Sequence, residues 1–545
     1  MKTGLTKEQL SKLSGEQKDN LILSILHANE ELTTRINDLE EILRLKSTKP
    51  FIPTSEQAGY LFDELEILST PLAGEEEARV TVREHSRNVP HKVKELPPDT
   101  PVVIVDHTGD SPDSYTDGNG YGYVRIANRE VDKIGVQPKR YYVERHVFAR
   151  YRLNGFEADR DDGEKNTVTG FTNPVTDTLM ASTSLVAQVA VAKYADQLPL
   201  YRQEDMFLRE GFEVNRQTLS QWLLKYAQVL APLARRLEHH ILSANLINQD
   251  ETPVQVLSHP DSKPSDRHFM FVRVGTSTLG PKEWHRIVLF TFIADRKNET
   301  LSEFSVSYGG YTMTDGLKGY LHLERHLNCW VHAIRRCKEI LKVTRKAVNA
   351  RDLVDTVNKL YRIEDTLRKK YADGRISKDE FNDTRKMQAG EVFKELEGKL
   401  DLMRPKYAPK SAMGMAIGYM DTYWDSLVRY PECFEATPDN NAAENSIRPF
   451  CLGKKNWLFS VSTEGAEASA LYYSLIETAK ANGINVYDYI WYILSEAPGC
   501  KEDEDFDRLL PWNVDSESLM KMRNTRDSGK PDPTRTEPYI FRGVR

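Results

Sequence analysis

The run LINQDETPVQVL (246–257), RHFMFVRVG (267–275), HRIVLFTFIA (285–294) and GGYTMTDGLKGY (309–320) decides the fold. The first three segments are rich in β-branched and aromatic residues and are separated by DSKPSD (261–266) and STLGPKE (277–283). Short apolar runs broken by turn-forming residues predict three consecutive antiparallel strands. The fourth segment predicts a short strand ending in Asp315-Gly316. Downstream, CWVHAIRRCKEILKVTRKAV (329–348) has helical spacing, and charged helical sequence continues to Tyr430. Then come TPDNNAAENSIRPFCLGKKNWLFS (437–460) and EGAEASALYYSLIETAKANG (464–483), a helix ended by Gly483.

Upstream, residues 183–244 are helical in period, and Tyr201–Tyr226 predicts helix, turn at Gly211, helix. Asn215 is an N-cap candidate for RQTLSQWLLKY. Arg216, Gln217, Ser220 and Gln221 then fall on the outer face of the second helix, where long polar side chains suit base-edge or phosphate contact in a major groove. An ordinary helical hairpin has the same pattern. Further upstream, Val102–Val105 and the alternating YVERHVFARYRL (142–153) predict strands of a small β module at about 100–157, with a turn-rich connection at 106–123. Residues 54–100 are mixed and acidic and predict a linker. Ile22, Asn29, Ile36 and Leu43 share one heptad position, and Ile25, Leu32 and Leu39 the other. That pattern predicts a parallel dimeric coiled coil with one Asn setting register, or else a single amphipathic helix packed on its own domain.

Composition narrows the class. The chain has 545 residues, 39% hydrophobic and 28% charged, too polar for a membrane protein and too apolar for a disordered one. Its start is polar and mixed in charge, unlike a secretory signal. Five cysteines (329, 337, 433, 451 and 500) with no C-x-x-C pair predict neither a disulfide framework nor a zinc ribbon. A soluble cytoplasmic protein is expected. The net charge of −7 excludes a uniformly basic coat, but Val331–Lys370 holds twelve Lys/Arg against five Asp/Glu.

Three acids stand out by placement: Asp250 in the first strand, Asp315 at the tip of the fourth, and Glu444 at the start of a helix beyond the charged insertion. In an RNase H-like sheet the first and fourth strands are neighbours, and a following helix brings a third carboxylate to the same point. Such a cage suits two Mg²⁺ ions, which activate the attacking oxygen and stabilise the leaving one in phosphodiester chemistry. Each acid taken alone reads equally well as a cap or a solvated charge. Asp439 competes as a third ligand and is also an N-cap candidate for the helix of Glu444. His332, Arg335 and Arg336 follow the second acid; they could hold a phosphate or orient a metal site, or Arg335 could pair with Glu339. Lys454 and Lys455 suit DNA-backbone contact. Arg448, one turn after Glu444, suits DNA or a pair with that acid.

The segment from about Val186 to Leu494 resembles the insertion-sequence 66 family of bacterial DDE transposases. The matching stretches are YADQLPLYRQEDMFLREGFEVNRQTLSQWL, QDETPVQVL, TDGLKGY, CWVHAIRRCKE, DNNAAENSIRPFCLGKKNWLFS and SLIETAKANG, in the family's order. The resemblance implies an RNase H-like α/β catalytic core at 245–495 with a helical insertion at about 340–430. The residues themselves place before it a coiled coil (1–50), also similar to the family's zipper segment, a linker and β module (51–180) where the family has its zinc segment, and a helix-turn-helix region (181–244). After it they place a tail (496–545) that is charged and expected to be disordered beyond Pro511. The resemblance implies metal-dependent cleavage and strand transfer at the ends of an insertion sequence, with Asp250, Asp315 and Glu444 as catalytic acids holding two Mg²⁺ or Mn²⁺. Double-stranded DNA, a second copy of the chain and small accessory proteins are the implied partners, and a nucleoid-associated cytoplasmic location follows. A co-opted, catalytically inactive DNA-binding protein and a nuclease that does not join strands are the alternatives. Family members carry a Cys-rich zinc segment before the helix-turn-helix; this chain has no cysteine before Cys329, so no zinc is expected.

Overall fold

In the computed structural model the described residues are Ser14, Lys18, short strands between 114 and 171, residues 179–528 apart from 259–266, 278, 280–284, 294–307, 321–322 and 345–346, and residues 540–541. The heptads at 22–43, the linker at 54–100 and the Val102–Val105 run lie outside them. Residues 67–143 form a unit of their own; there β1 (Ser114–Thr116) and β2 (Gly122–Val124) pair antiparallel. This corrects one expectation: the turn-rich stretch itself holds two short paired strands. In the larger unit, β3 (Arg150–Arg152), β4 (Thr167–Phe171) and β11 (Ile540–Phe541) form a three-stranded sheet in the order β11-β4-β3.

The main sheet has six strands: β5 (Leu246–Ser258), β6 (Arg267–Ser277), β7 (His285–Ile293), β8 (Tyr311–Thr314), β9 (His326–Asn328) and β10 (Ser460–Ser462). Its order is β7-β6-β5-β8-β9, with β10 against the far end of β5. β5–β6 and β6–β7 are antiparallel; β5–β8, β8–β9 and β5–β10 are parallel. The three expected strands and the short fourth are thus all present. β6 is buried along nearly its whole length because both of its faces are covered.

Helices α1 (Thr183–Tyr194), α2 (Leu200–Arg209) and α3 (Arg216–Ile241) precede the sheet. Gly211, at φ +82°, makes the turn between α2 and α3, and Asn215 caps α3 by accepting the Thr218 N–H at 2.9 Å. Helices α4 (Trp330–Val343), α5 (Val348–Ala372), α6 (Lys378–Met403) and α7 (Ala412–Val428) follow β9. Then come α8 (Asn441–Trp457), α9 (Thr463–Ala481), α10 (Val486–Glu496), α11 (Asp503–Asp507) and α12 (Ser516–Ser528).

Cross-strand partners point to the same face of a sheet. On one face, Met270, Val272 and Val274 of β6 belong to an apolar core shared with α1, α3, α9 and α10. On that face too, Met313 and Leu327 of β8 and β9 belong to a second core, built by α4–α7. At roughly 1.5–3 kcal/mol for each fully buried Leu, Ile or Met, both cores are strongly held. Between them runs a seam along β5, and α8 lies over it.

Outside the cores, the edge strand β7 is closed by side chains. Thr478 exchanges hydrogen bonds with the Val288 N–H and C=O at 3.0 Å each, Ser474 receives the Phe290 N–H at 2.8 Å, and the Asn482 amide donates to the Arg286 carbonyl at 2.8 Å. One helix face, at four-residue spacing, thereby satisfies an edge that would otherwise attract another strand.

The disorder expected beyond Pro511 is also corrected, for the described residues 512–528. Phe506, Leu509, Leu510, Trp512 and Met522 are buried, and Arg236 of α3 holds Asp507 through two 2.6 Å bonds. A few widely spaced apolar residues dock the segment, and the charges around them mask that signal in the composition. No helix among the described residues is long and apolar enough to cross a membrane.

Candidate active site

β5 and β8 run parallel with Asn248 level with Met313. Continued by two residues, this register sets Asp250 level with Asp315 on the same face, the seam face. Asp250 lies within β5, its Oδ1 accepting the Glu251 N–H at 2.8 Å. Asp315 is the first residue beyond β8, and its Oδ1 accepts the Leu317 N–H at 3.1 Å. Its carbonyl receives Thr314 Oγ1 at 2.8 Å and Asn328 Nδ2 at 3.3 Å. Tyr419 of α7 donates to Asn328 Oδ1 at 3.0 Å, and Tyr423 donates to the Gly316 carbonyl. The loop after β8 is therefore held by β9 and α7 together.

Glu444 comes to this point on α8, whose start is pinned to β5. Asn440, wholly buried, donates Nδ2 to the Gln249 carbonyl at 2.8 Å and accepts Asn248 Nδ2 at 3.0 Å. Asn440 occupies the N-cap position but makes no side-chain cap bond, since its amide is engaged with the strand. This corrects the expectation that Asp439 is the cap: Asp439 sits one residue earlier and accepts the Asn441 N–H at 3.1 Å. Burial, foremost, pushes the Asp439 carboxyl up.

Upstream of Asn440, the insertion grips the chain. Arg385 of α6, wholly buried, donates to the carbonyls of Pro431 (3.1 Å), Cys433 (2.8 Å) and Ala436 (3.2 Å), with Glu364 at 3.5 Å. Arg368 of α5 adds bonds to Phe434 and Ala436 at 3.0 and 2.8 Å. The Trp330 N–H then takes the Pro438 carbonyl at 2.8 Å, and the Asn440 N–H meets Cys329 Sγ at 3.4 Å.

The charges of Asp315 and Glu444 both reach Asp250. The Asp250 carboxyl is pushed well above the usual range, first by burial, then by the negative charges of Glu251, Asp315 and Glu444. Glu251 lies on the opposite face by the strand's alternation, where Tyr320 donates to it at 3.2 Å and Gln249 donates to Tyr320 at 2.8 Å. Three acids sharing one seam are strained by like charge, and an all-oxygen set of this kind fits hard divalent cations such as Mg²⁺ or Mn²⁺.

Beside Glu444 stand Cys329 and His332 of the α4 start; the Cys329 Sγ and a His332 ring nitrogen lie within 4.8 Å of each other and of a Glu444 oxygen. His332 Nδ1 is 3.7 Å from Glu444 Oε1, and His332 Nε2 is 2.6 Å from Arg335. Burial, with the charge of Arg335, pushes the His332 imidazole down to about 3. Burial and the charge of Glu444 push the Cys329 thiol well up.

The remaining expected residues are scattered. Arg216, Gln217 and Gln221 are exposed on α3 and Ser220 is half-buried, opposite the buried Leu219, Trp222 and Leu223. Arg336 and Lys455 are exposed, and Arg448 is half-buried. Lys454 is turned inward, donating to Thr252 Oγ1 at 3.1 Å and the Pro253 carbonyl at 2.7 Å, so it fastens α8 to β5. Asn248, Asn440 and Cys329 escaped the reading of the sequence. The first, two residues before Asp250 on its strand face, and the second, in the Asn-Asn pair before Glu444, carried a positional signal.

Fold and site define a mixed α/β chain with an acid-lined seam over its central strands. The chain belongs to the IS66 transposase family: the family's main domain matches residues 178–468, and the IS66 C-terminal element matches 474–512. Relatives in Sinorhizobium fredii (strain NBRC 101917 / NGR234) include "Uncharacterized protein y4jD", 27% identical over 61% of this chain and 66% of its own length. Another is "Uncharacterized protein y4qI", 26% identical over 62% of this chain and 63% of its own length. The chain thus spans less than two thirds of either relative. No solved structure matches it.

Proposed function

We propose that the chain is an active DNA transposase whose Asp250, Asp315 and Glu444 hold a pair of divalent cations for cleavage and joining of DNA strands. The observation that carries this is the β5–β8 register, which sets Asp250 beside Asp315, together with Asn440, which fastens the helix of Glu444 to the same strand. The strand order, with the first strand central between the second and the fourth, supports an RNase H-like core interrupted by α5–α7. Bound cations would activate a water or 3′-OH and stabilise the leaving oxygen. The protein's own part is to keep three carboxylates converged in a partly dry seam before DNA arrives. Glu444 is favoured over Asp439 because its charge is felt at Asp250, whereas the Asp439 carboxylate is turned to the Asn441 N–H.

The exposed face of α3 at Arg216, Gln217 and Gln221 is the proposed end-reading surface, with Arg336 and Lys455 touching backbone phosphates. A dimer is proposed on mechanistic grounds, since two transposon ends must be held before either is joined. The test is incubation of the protein with DNA from the flanks of its own gene and Mn²⁺, mapping every cut. Cuts at the ends, followed by joining of pre-cleaved ends to target DNA, are expected. Binding without cuts would favour a co-opted DNA-binding protein, and cuts without joining a plain nuclease.

A further inference from the structure

We infer that His332, locked by Arg335 into its Nδ1–H form, is a positioning residue that holds Glu444 in the orientation needed for cation binding; this rests on the function proposed above. Arginine has only donors, so the 2.6 Å contact makes His332 Nε2 an acceptor. A neutral imidazole that accepts at Nε2 carries its proton on Nδ1, and Nδ1 faces Glu444 Oε1 at 3.7 Å. Half-buried on α4, the ring aims this donor at one carboxylate oxygen from just beyond hydrogen-bond reach, so a small closure completes the bond. Such outer partners fix ligand orientation and strengthen it as a ligand.

The same bond argues against the other reading of this cluster, in which Cys329, His332 and Glu444 together chelate a thiophilic cation. Nδ1 would have to shed its proton, and Nε2 would then carry one straight at the Arg335 N–H. The Cys329 sulfur, moreover, already accepts the Asn440 N–H. Arg335, expected from the sequence to touch DNA, is in this account part of the support of the third acid.

The test uses the full chain with histidines labelled in nitrogen-15. Wild type should show His332, assigned by its loss in His332→Ala, as the Nδ1–H form, and Arg335→Met should convert it to a mixture. Mn²⁺ titration followed by electron paramagnetic resonance should show affinity falling about 10–100-fold in His332→Ala. Most of that should return in His332→Asn, whose amide N–H can occupy the Nδ1 position, but not in His332→Gln. An Nε2–H form in wild type, or equal Mn²⁺ affinity in wild type and His332→Ala, overturns the inference alone. A thiolate-to-cobalt absorption band with Co²⁺, lost in Cys329→Ser, overturns it by putting a cation on Nδ1. Absence of Mn²⁺ binding by wild type overturns the functional reading and this inference with it.

Discussion

Helices α8 and α9 are consecutive in the chain, and both pack on the main sheet, yet they meet it in opposite ways. α9 lies along β7 through Ser474, Thr478 and Asn482, which satisfy the edge backbone with neutral bonds. α8 lies over β5 and brings Glu444 toward Asp250 and Asp315, where burial first, and then like charge, raise the Asp250 carboxyl. One contact satisfies backbone groups of Arg286, Val288 and Phe290 at the edge; the other gathers charge that a proton or a cation relieves. The first serves stability and the second has a stability cost, the usual mark of a functional site.

Substitutions separate the two. Asp250→Asn, Asp315→Asn and Glu444→Gln should each lower cleavage of a matched end by about 10³-fold or more, since each removes a proposed cation ligand, while thermal melting holds or rises as repulsion is relieved. A lowered melting temperature would mean that the seam serves folding instead. The insertion should behave like α9. Arg385→Met leaves the Pro431 and Cys433 carbonyls without their donor while Glu364 and Ala436 keep Arg368, at a cost of about 1–3 kcal/mol in denaturant unfolding. Retained stability there would show that the carbonyls of 431–436 find other donors.

A loss of similar size is expected at the sheet edge. Thr478→Val strands the Val288 N–H and C=O, worth about 1–3 kcal/mol, with cleavage by the folded fraction unchanged. A drop in that cleavage would couple β7 to the site and blur the contrast.

At the docked tail the pH dependence has a definite sign. His240 faces Asp507, Arg236, His239 and His285, and its imidazole is lowered, chiefly by burial. The unfolded chain therefore takes up the proton first, near 6.5, and native stability falls as pH drops below that value toward the folded one. The slope is at most about 1.4 kcal/mol per pH unit. His240→Asn should flatten the fall between pH 7 and 5 in thermal scans; an identical slope in the variant would assign it elsewhere. Smallest is Gln217→Ala, expected to weaken binding to the matched end by about 1 kcal/mol and to leave random DNA unchanged. Equal losses on both would make α3 a phosphate-binding helix only.

What could be read from the residues follows the same division. The strands were legible because LINQDETPVQVL, RHFMFVRVG and HRIVLFTFIA are apolar runs between turn-formers, and Gly211 and Asn215 mark the α2–α3 turn by local chemistry alone. Asp250, Asp315 and Glu444 stand where the sequence placed them, within the first strand, just past the fourth and in the first turn of a helix. Partners set by long-range packing were not. Asn440, passed over in the sequence beside the cap candidate Asp439, is the pin to β5 across nearly two hundred residues. Lys454 reads as a phosphate contact and is turned onto Pro253. The docked segment after Pro511 rests on so few apolar residues that its charges outweigh them in any count.

The central claim is that residues 250, 315 and 444 share cations, and a crystal soaked in Mn²⁺ tests it most directly. Anomalous density within ligand distance of all three carboxylates, lost at the same position in Asp250→Asn, is the predicted result. Manganese bound elsewhere, with the seam empty and the three side chains directed apart, would contradict it.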